Sequence, residues 1–331
     1  MARVSYAYLL KRIVISVFVL WVTVSLLFFL LKAMPGNFSQ NFISPAIDPE
    51  DLQALRERYG LDDPLWLQYL KWMRNYLTLQ FGYSTLSPTP VIDMVKARLP
   101  RTLVLFGTAF LLQYTVGTLA GINFGWRRGS RTDQAGFVGG LTLYSIPFFW
   151  VGWILLFLLA YEQFGVAWFP IGRMTTTGQA QYTALSLLMD VGYHLILPAA
   201  ALVMVGWAGA MLVMRTSMQE VVDAPYIQTA RAKGLPPSVV KYKHAARNAL
   251  IPVATQAIVG IAFIVDGAVI VESIFSWPGM GQMLINAIFD KNFPVAFAAF
   301  FVLAALVILM HLVLDFAYTV LDPRIRFGES Q

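Results

Sequence analysis

The sequence predicts an all-α protein that crosses a membrane six times. Of its 331 residues, 58% are apolar or aromatic and only 13% are charged, against roughly a quarter charged in a soluble domain. The apolar residues fall in uninterrupted runs on the order of 20 residues, the length needed to cross hydrocarbon. Lysine and arginine collect in alternate loops between those runs. An ordinary soluble enzyme is excluded. Zero cysteines exclude disulfides and thiolate metal sites. The net charge of +6 is divided among short segments between spans, so it calls for no nucleic-acid partner.

Residues 13–31 carry no charge and form the first span. Lys11 and Arg12 precede it, but the run exceeds the apolar core of a signal peptide and no small-x-small cleavage site follows, so it reads as a retained helix. Further spans are predicted at 103–126, 137–160, 194–214, 251–271 and 295–321, each bounded by charge, proline or glycine. Pro147 and Pro198 predict kinks that neighbouring helices can accommodate. Gly117, Gly121 and Gly125 lie on one face of the second span, where missing side chains let another backbone approach closely.

Orientation follows from the basic residues. Arg3, Lys11, Arg12, Arg127, Arg128, Arg131, Arg215, Arg231, Lys233, Lys241, Lys243, Arg247, Arg324 and Arg326 share one side, whereas the opposite short loops hold Arg173 and Lys291. Both termini are thus expected in the cytoplasm of a multi-pass inner-membrane protein in contact with lipid. The chain divides into residues 1–31 with the first span, an external region 32–101, a five-helix core 102–321 containing a cytoplasmic loop 215–250, and a tail 322–331.

In the external region, Leu52, Leu55 and Tyr59 have helical spacing and Gly60 supplies a stop. Asp63-Pro64 opens a second amphipathic stretch in which Trp66, Tyr69, Leu70, Trp72 and Met73 alternate with Lys71 and Arg74. It suits a small packed external subdomain or a helix lying at the outer leaflet.

The cytoplasmic connection 215–252 contains a short helix with its own start and stop signals. Asp223 can cap it, Pro225 suits its first turn, Gly234 can end it in a left-handed conformation, and Pro236 bars continuation. A helix of about three turns is marginal alone in water, so it needs a surface. Ala224, Ala230, Ala232 and Gly234 keep it slim, Tyr226 and Ile227 offer apolar anchors, and Arg231 and Lys233 offer charge. Such a helix fits a groove on a partner; it also suits its own bundle or anionic headgroups. Residues 238–248 read as a second helix whose Lys241, Lys243, His244 and Arg247 face phosphate headgroups, and His244 has no companion at metal-ligand spacing.

Ionisable residues within or beside spans are candidates for a translocation pathway. Asp266 and Glu272 are the two at the fifth span, with hydrogen bonding that fixes helix packing as the other reading of Asp266. His311 and Asp315 fall on one face of the sixth span, where a local pair would serve packing. An ion-coupled secondary carrier using Asp266 and Asp315 is the rival class, opposed by the lack of evident repeat halves. A membrane-embedded enzyme is the other rival. The chain has no Gly-x-Ser-x-Gly elbow, no His-Glu-x-x-His helix and no Gly-x-x-x-x-Gly-Lys-Ser/Thr phosphate loop, so no catalytic residue is assigned and ATP hydrolysis would belong to a partner.

Tyr226-Ile-Gln-Thr-Ala-Arg-Ala-Lys-Gly234, followed by His244-Ala-Ala-Arg-Asn-Ala-Leu-Ile-Pro252, resembles the coupling segment of ABC-importer permeases of the dipeptide, oligopeptide and nickel branch. Gly60-Leu-Asp-Asp-Pro64, Phe81-Gly-Tyr-Ser84, Leu99-Pro-Arg-Thr-Leu103, Ser145-Ile-Pro147, Glu272-Ser-Ile-Phe-Ser-Trp-Pro-Gly-Met-Gly281 and Leu321-Asp-Pro-Arg-Ile-Arg326 extend the resemblance over nearly the whole chain. Gln228-Thr229-Ala230 departs from the general Glu-Ala-Ala, and Met34-Pro-Gly-Asn-Phe38 lacks the acid and proline of many relatives. The resemblance implies a type I importer permease fold. It also implies a homologous sister permease, two ATP-binding subunits that use ATP and Mg, and an external solute-binding protein, with no cofactor on this chain. Tyr226, Ile227, Thr229, Ala230, Arg231, Ala232, Lys233 and Gly234 would form the coupling helix. Di- or oligopeptides are the implied solute, with oligosaccharides or nickel as alternatives.

Overall fold

The computed structural model describes residues 6–33, 63–162, 167–176, 183–262 and 268–321. The helices are α1 (Tyr6–Ala33), α2 (Leu65–Leu77), α3 (Val91–Trp126), α4 (Arg131–Tyr144), α5 (Phe148–Leu159), α6 (Ala184–Val221), α7 (Pro225–Ala232), α8 (Ala246–Ala262), α9 (Ala268–Ile274), α10 (Met280–Phe289) and α11 (Phe293–Leu321). Among the described residues the extended pairing is one isolated bridge, Tyr83 to Pro90. Helices α1, α3, α6 and α11 each contain a stretch long and apolar enough to cross a membrane, and α4 with α5 passes the same test as a pair bent by 96°. The remaining expected span, 251–271, coincides with most of α8 and the start of α9; residues 263–267 lie outside the described set. The predicted helix 49–59 and the tail 322–331 lie outside it too.

The chain forms two compact units. One comprises Met1–Leu103, Val265–Ser273 and Pro278–Gln331. Its core is aromatic. Trp72 and Tyr76 of α2 stack at 4.3 Å between ring centroids, and Phe28, Phe81, Phe297 and Phe301 surround them edge-on or tilted. The Trp72 indole N–H donates to the Val24 carbonyl at 3.2 Å, and Lys32 donates to Gln68 at 2.6 Å, so α2 is fixed on α1 by polar bonds as well as by buried rings. The stretch is thus packed against the first span. Its outer face leaves Leu65, Trp66, Leu70 and Leu77 exposed, the residues a headgroup layer would accept. Further along, Asp315 of α11 pairs with Arg12 of α1 at 3.4 Å, a partner that helical spacing could not suggest, while His311 Nδ1 lies 2.9 Å from the Val307 carbonyl.

The other unit comprises Val104–Ile264 and Ile274–Trp277. Its central element is α6, on which α4, α5 and α8 pack. Helix α3 meets it along the glycine face. A Cβ on Gly117 would overlap the Trp207 carbonyl oxygen, one on Gly121 would stand 2.5 Å from Met214 Cβ, and one on Gly125 would stand 2.6 Å from Met218 Cβ. The two backbones are closer than any side chain allows.

Three predicted spans differ in extent. The run 194–214 belongs to α6, which extends beyond it at both ends and continues through Pro198 without a break. The run 103–126 is part of α3, which begins at Val91 and carries Pro100 inside it. The kink expected at Pro147 is a full break: Ser145 closes α4 by donating both N–H and hydroxyl to the Leu141 carbonyl, at 3.1 and 2.9 Å. Pro147, at φ −59° and ψ 129°, then starts α5. Proline lacks the N–H and holds the preceding residue out of the α region, so the helix turns there.

Candidate functional site

The loop between α6 and α8 carries the site. Helix α7 starts at Pro225 with Ala224 as its N-cap residue, and no side chain caps it. The expectation that Asp223 caps it is corrected: the Asp223 carboxylate lies 3.7 Å from Arg128, and its backbone carbonyl accepts from Gln228 Nε2 at 3.2 Å. The Thr229 hydroxyl donates back to the Pro225 carbonyl at 3.0 Å.

The stop is a complete two-bond closure. Gly234 has φ +72°, its N–H donates to Arg231 O at 2.9 Å, and the Leu235 N–H donates to Ala230 O at 3.4 Å. These are the bonds of the Schellman motif, which require a left-handed residue at the position Gly234 holds. Pro236 then serves as the N-cap residue of the turn Pro237–Val239.

Helix α7 is seated on one side only. Ile227 and Ala230 are buried against Met214, Met218, Val240, Ala245 and Ala249, whereas Tyr226, Thr229, Arg231, Ala232, Lys233 and Gly234 are exposed. Buried positions three apart and exposed positions around them are the pattern of an amphipathic helix with a second face to offer. The stretch expected as a second helix, 238–248, is helical throughout: Pro237–Val239 leads into a π-helix, Val240–Ala245, that runs directly into α8 and passes Ile251 and Pro252 without interruption.

Polar contacts from the corner between α3 and α4 grip the end of α6 and the same loop. Asp133 accepts from Arg215 Nε at 2.5 Å and from Arg215 Nη2 at 3.0 Å, a bidentate pair with the carboxylate buried. Arg215 also lies over the Phe137 ring at 4.8 Å. The Asp133 carboxylate takes the Gly129 N–H at 2.9 Å, and Ser130 caps α4 through the Asp133 N–H. Arg231 of α7 stands 5.3 Å from the Trp126 ring centroid, and Lys241 donates to Asn123. Sequence reasoning placed Arg127, Arg128 and Arg131 here as topology signals but missed Asp133 and Trp126. No local pattern links Asp133 to a residue 82 positions away.

Glu272, the other candidate at the fifth span, belongs to the first unit. It is fully buried in α9. Its Oε1 accepts from the Thr102 hydroxyl at 2.6 Å and its Oε2 from the Gln282 N–H at 3.0 Å, while Thr102 in turn accepts the Met280 N–H at 2.8 Å. The carboxylate thus serves the first turn of α10, whose N-cap residue, Gly279, has no side chain to do so. A Cβ on Gly279 would overlap that carboxylate. Burial pushes the Glu272 carboxyl up, against the Thr102 hydroxyl and the Gln282 and Gly281 N–H groups that favour its ionised form. Helix α10 itself was not anticipated; Met280, Met283, Leu284 and Ala287 are its buried face. Asp266 lies outside the described residues.

Bilayer-length helices joined to a short, closed, half-seated loop helix define a polytopic helical transport subunit. The chain belongs to the family described as binding-protein-dependent transport system inner membrane components, which residues 114–327 match, while residues 5–106 match that system's N-terminal membrane component. It is 35% identical over 97% of its length to the oligopeptide transport system permease protein AppB of Bacillus subtilis, covering 99% of that protein. It is 36% identical to the di/tripeptide transport system permease protein DppB of Pseudomonas aeruginosa, over 91% of this chain and 93% of the relative. A dipeptide permease protein DppB of Alkalihalophilus pseudofirmus is 33% identical over 97% and 99%. The chain is therefore an inner-membrane permease subunit of an ABC importer, a transporter component that works with ATPase and solute-binding partners.

Proposed function

We propose that this chain forms half of the channel of an importer for di- or oligopeptides, and that α7 is the lever by which cytoplasmic ATPases drive it. The observation that carries the proposal is the one-sided seat of α7. Ile227 and Ala230 fix it to its own bundle, the Gly234 closure makes it a rigid stub, and Tyr226, Thr229 and Lys233 remain outward for a cleft on an ATP-binding subunit. Because α7 follows α6 after Val221 and is buttressed by α8, displacement of the stub tilts both helices and converts an ATPase motion into alternating access.

In this reading a homologous sister permease supplies the other half of the channel, ATP and Mg are used by the partner ATPases, and both termini face the cytoplasm. The external region receives the solute-binding protein, and lipid covers the outer faces of the spans. Asp266 is the candidate for the solute route. Glu272 serves the same region indirectly, by holding the first turn of α10. Peptides are favoured because the relatives at this identity are described as peptide transporters.

Reconstitution of the permease pair, ATPases and binding protein in proteoliposomes tests the proposal. Uptake of labelled peptides that requires all components and ATP is the expected result. Uptake by the permeases alone, or import of oligosaccharide or nickel in place of peptide, would overturn it.

A further inference from the structure

Within the second unit, near the N-terminal end of α6 and far along that helix from Arg215, a cavity of about 380 Å³ is lined by Pro170, Ile171, Arg173, Thr176, His194 and Ser276. Its walls are fixed by contacts that leave few degrees of freedom. Gly172 presses on the backbone of Phe275, where a Cβ would stand 2.5 Å from the carbonyl oxygen. Arg173 is held at φ +70° with its N–H donating to that same carbonyl at 3.1 Å, a conformation that residues other than glycine seldom adopt. Thr176 is tied to α6 by two bonds, its N–H and its hydroxyl each donating to the Asp190 carboxylate at 2.7 Å.

His194, a buried residue, lines the same cavity. Its Nδ1 lies 2.9 Å from the Asp190 carbonyl oxygen, which can only accept, so Nδ1 carries the hydrogen and Nε2 is the ring nitrogen left for another partner. Asp190 Oδ1 stands 3.5 Å from the same Nδ1. The Asp190 carboxylate is thus occupied by Thr176 and turned toward His194, while Arg173, exposed at the rim, has no ion pair among the described residues. A planar guanidinium beside a cavity of this size matches a carboxylate in two-point geometry.

We propose that this cavity is a way station for the free terminal carboxylate of the solute, held by the Arg173 guanidinium as solute passes into the permease; this rests on the peptide reading above. A carboxylate on the solute is distinguished from an acidic side chain on the binding protein by whether uptake or binding-protein affinity depends on Arg173.

The test uses the complete importer in proteoliposomes, with the binding protein saturated either by a peptide bearing a free C-terminal carboxylate or by the same peptide as its C-terminal amide. Arg173→Gln should lower uptake of the free acid by about tenfold or more, the scale of a lost charge-assisted hydrogen bond. Stimulation of ATP hydrolysis by loaded binding protein should keep the same half-saturating concentration, and amide uptake should be unchanged by the substitution. Arg173→Lys, which keeps charge but not the fork, should fall between. Equal wild-type uptake of acid and amide, or undiminished acid uptake by Arg173→Gln, overturns the proposal. A raised half-saturating concentration of binding protein in Arg173→Gln also overturns it, since Arg173 would then pair with the binding protein. Import of neither peptide by the wild-type complex, with ATP hydrolysis intact, is the separate failure of the peptide reading and removes this site with it.

Discussion

Gly234 offers a perturbation in which one physical cause can be isolated. At φ +72° it stands where L side chains are disfavoured, yet a Cβ built there meets nothing within 4 Å. Substitution therefore introduces no collision, and its cost is the backbone preference alone: about 1–2 kcal/mol for an ordinary residue in the left-handed region, and more for a β-branched one. If the residue escapes to a right-handed conformation, the bonds Gly234 N–H to Arg231 O and Leu235 N–H to Ala230 O are lost, each worth roughly 0.5–1.5 kcal/mol. Either route costs about 2 kcal/mol for valine, a factor of roughly 30 in the population of the closed stub. Helix α7 has only 8 residues and little intrinsic stability to absorb it. The assay is ATP-driven uptake and ATP hydrolysis side by side, in purified complexes shown to contain every subunit. Uptake per ATP should fall in the order Gly, Asn, Ala, Val, because asparagine tolerates the left-handed region best among the three replacements. A ranking by side-chain volume, with asparagine as damaging as valine, would refute the conformational argument, and three variants indistinguishable from the wild type would refute the need for a stop.

Asp133→Asn leaves the Arg215 guanidinium, 19% exposed, facing a neutral amide, and should destabilise the permease by about 3–5 kcal/mol. The double variant Asp133→Asn with Arg215→Met should recover part of that loss in detergent thermal unfolding; equal or greater loss would mean the pair matters for its charge pattern rather than its burial. Gly121→Ala forces a Cβ to 2.5 Å from Met214 Cβ and 2.7 Å from the Met211 carbonyl, so α3 and α6 must part at a cost of about 1–3 kcal/mol, read as a lowered melting temperature. Glu272→Gln sets an NH2 group against a helix N–H of α10 and should cost about 1–3 kcal/mol in the same measurement. Its pH dependence has a definite sign. The raised carboxyl lets the folded chain keep a proton that an unfolded glutamate has released, so this contribution is full below the ordinary glutamate range and fades as pH rises through the folded value. The wild-type protein should lose stability across that window and the glutamine variant should not; parallel profiles would contradict the assignment.

What the sequence disclosed follows from the range over which each cause acts. The spans were legible because burial in hydrocarbon demands a continuous local composition. The closure at Gly234 was legible because proline, glycine and proline at 225, 234 and 236 act on their own backbone. The break at Pro147 was seen in place but not in size, since its 96° bend also needs Ser145 to close the preceding helix. Glu272 was read as a pathway residue because a carboxylate beside a span carries no mark of its partners. The missing clue was Gly279, a helix start lacking a capping side chain. Asp133 with Arg215 and Asp315 with Arg12 were invisible, since their partners lie far off in the chain and no periodicity relates them.

The π-helix at Val240–Ala245 gives this stretch one residue more than an α-helix of the same rotation would need. A π turn holds one residue more than an α turn, and each α-helical residue subtends about 100°. Deleting any one residue there would leave a perfectly good α-helix. Because that α turn completes the same rotation with one residue fewer, Ile227 and Ala230 would keep their seat against Ala245 and Ala249. A single-codon deletion in this window should therefore preserve insertion, folding and function, whereas the same deletion in the regular turns of α8, where no surplus residue can be given up, should rotate everything upstream by about 100° and abolish function.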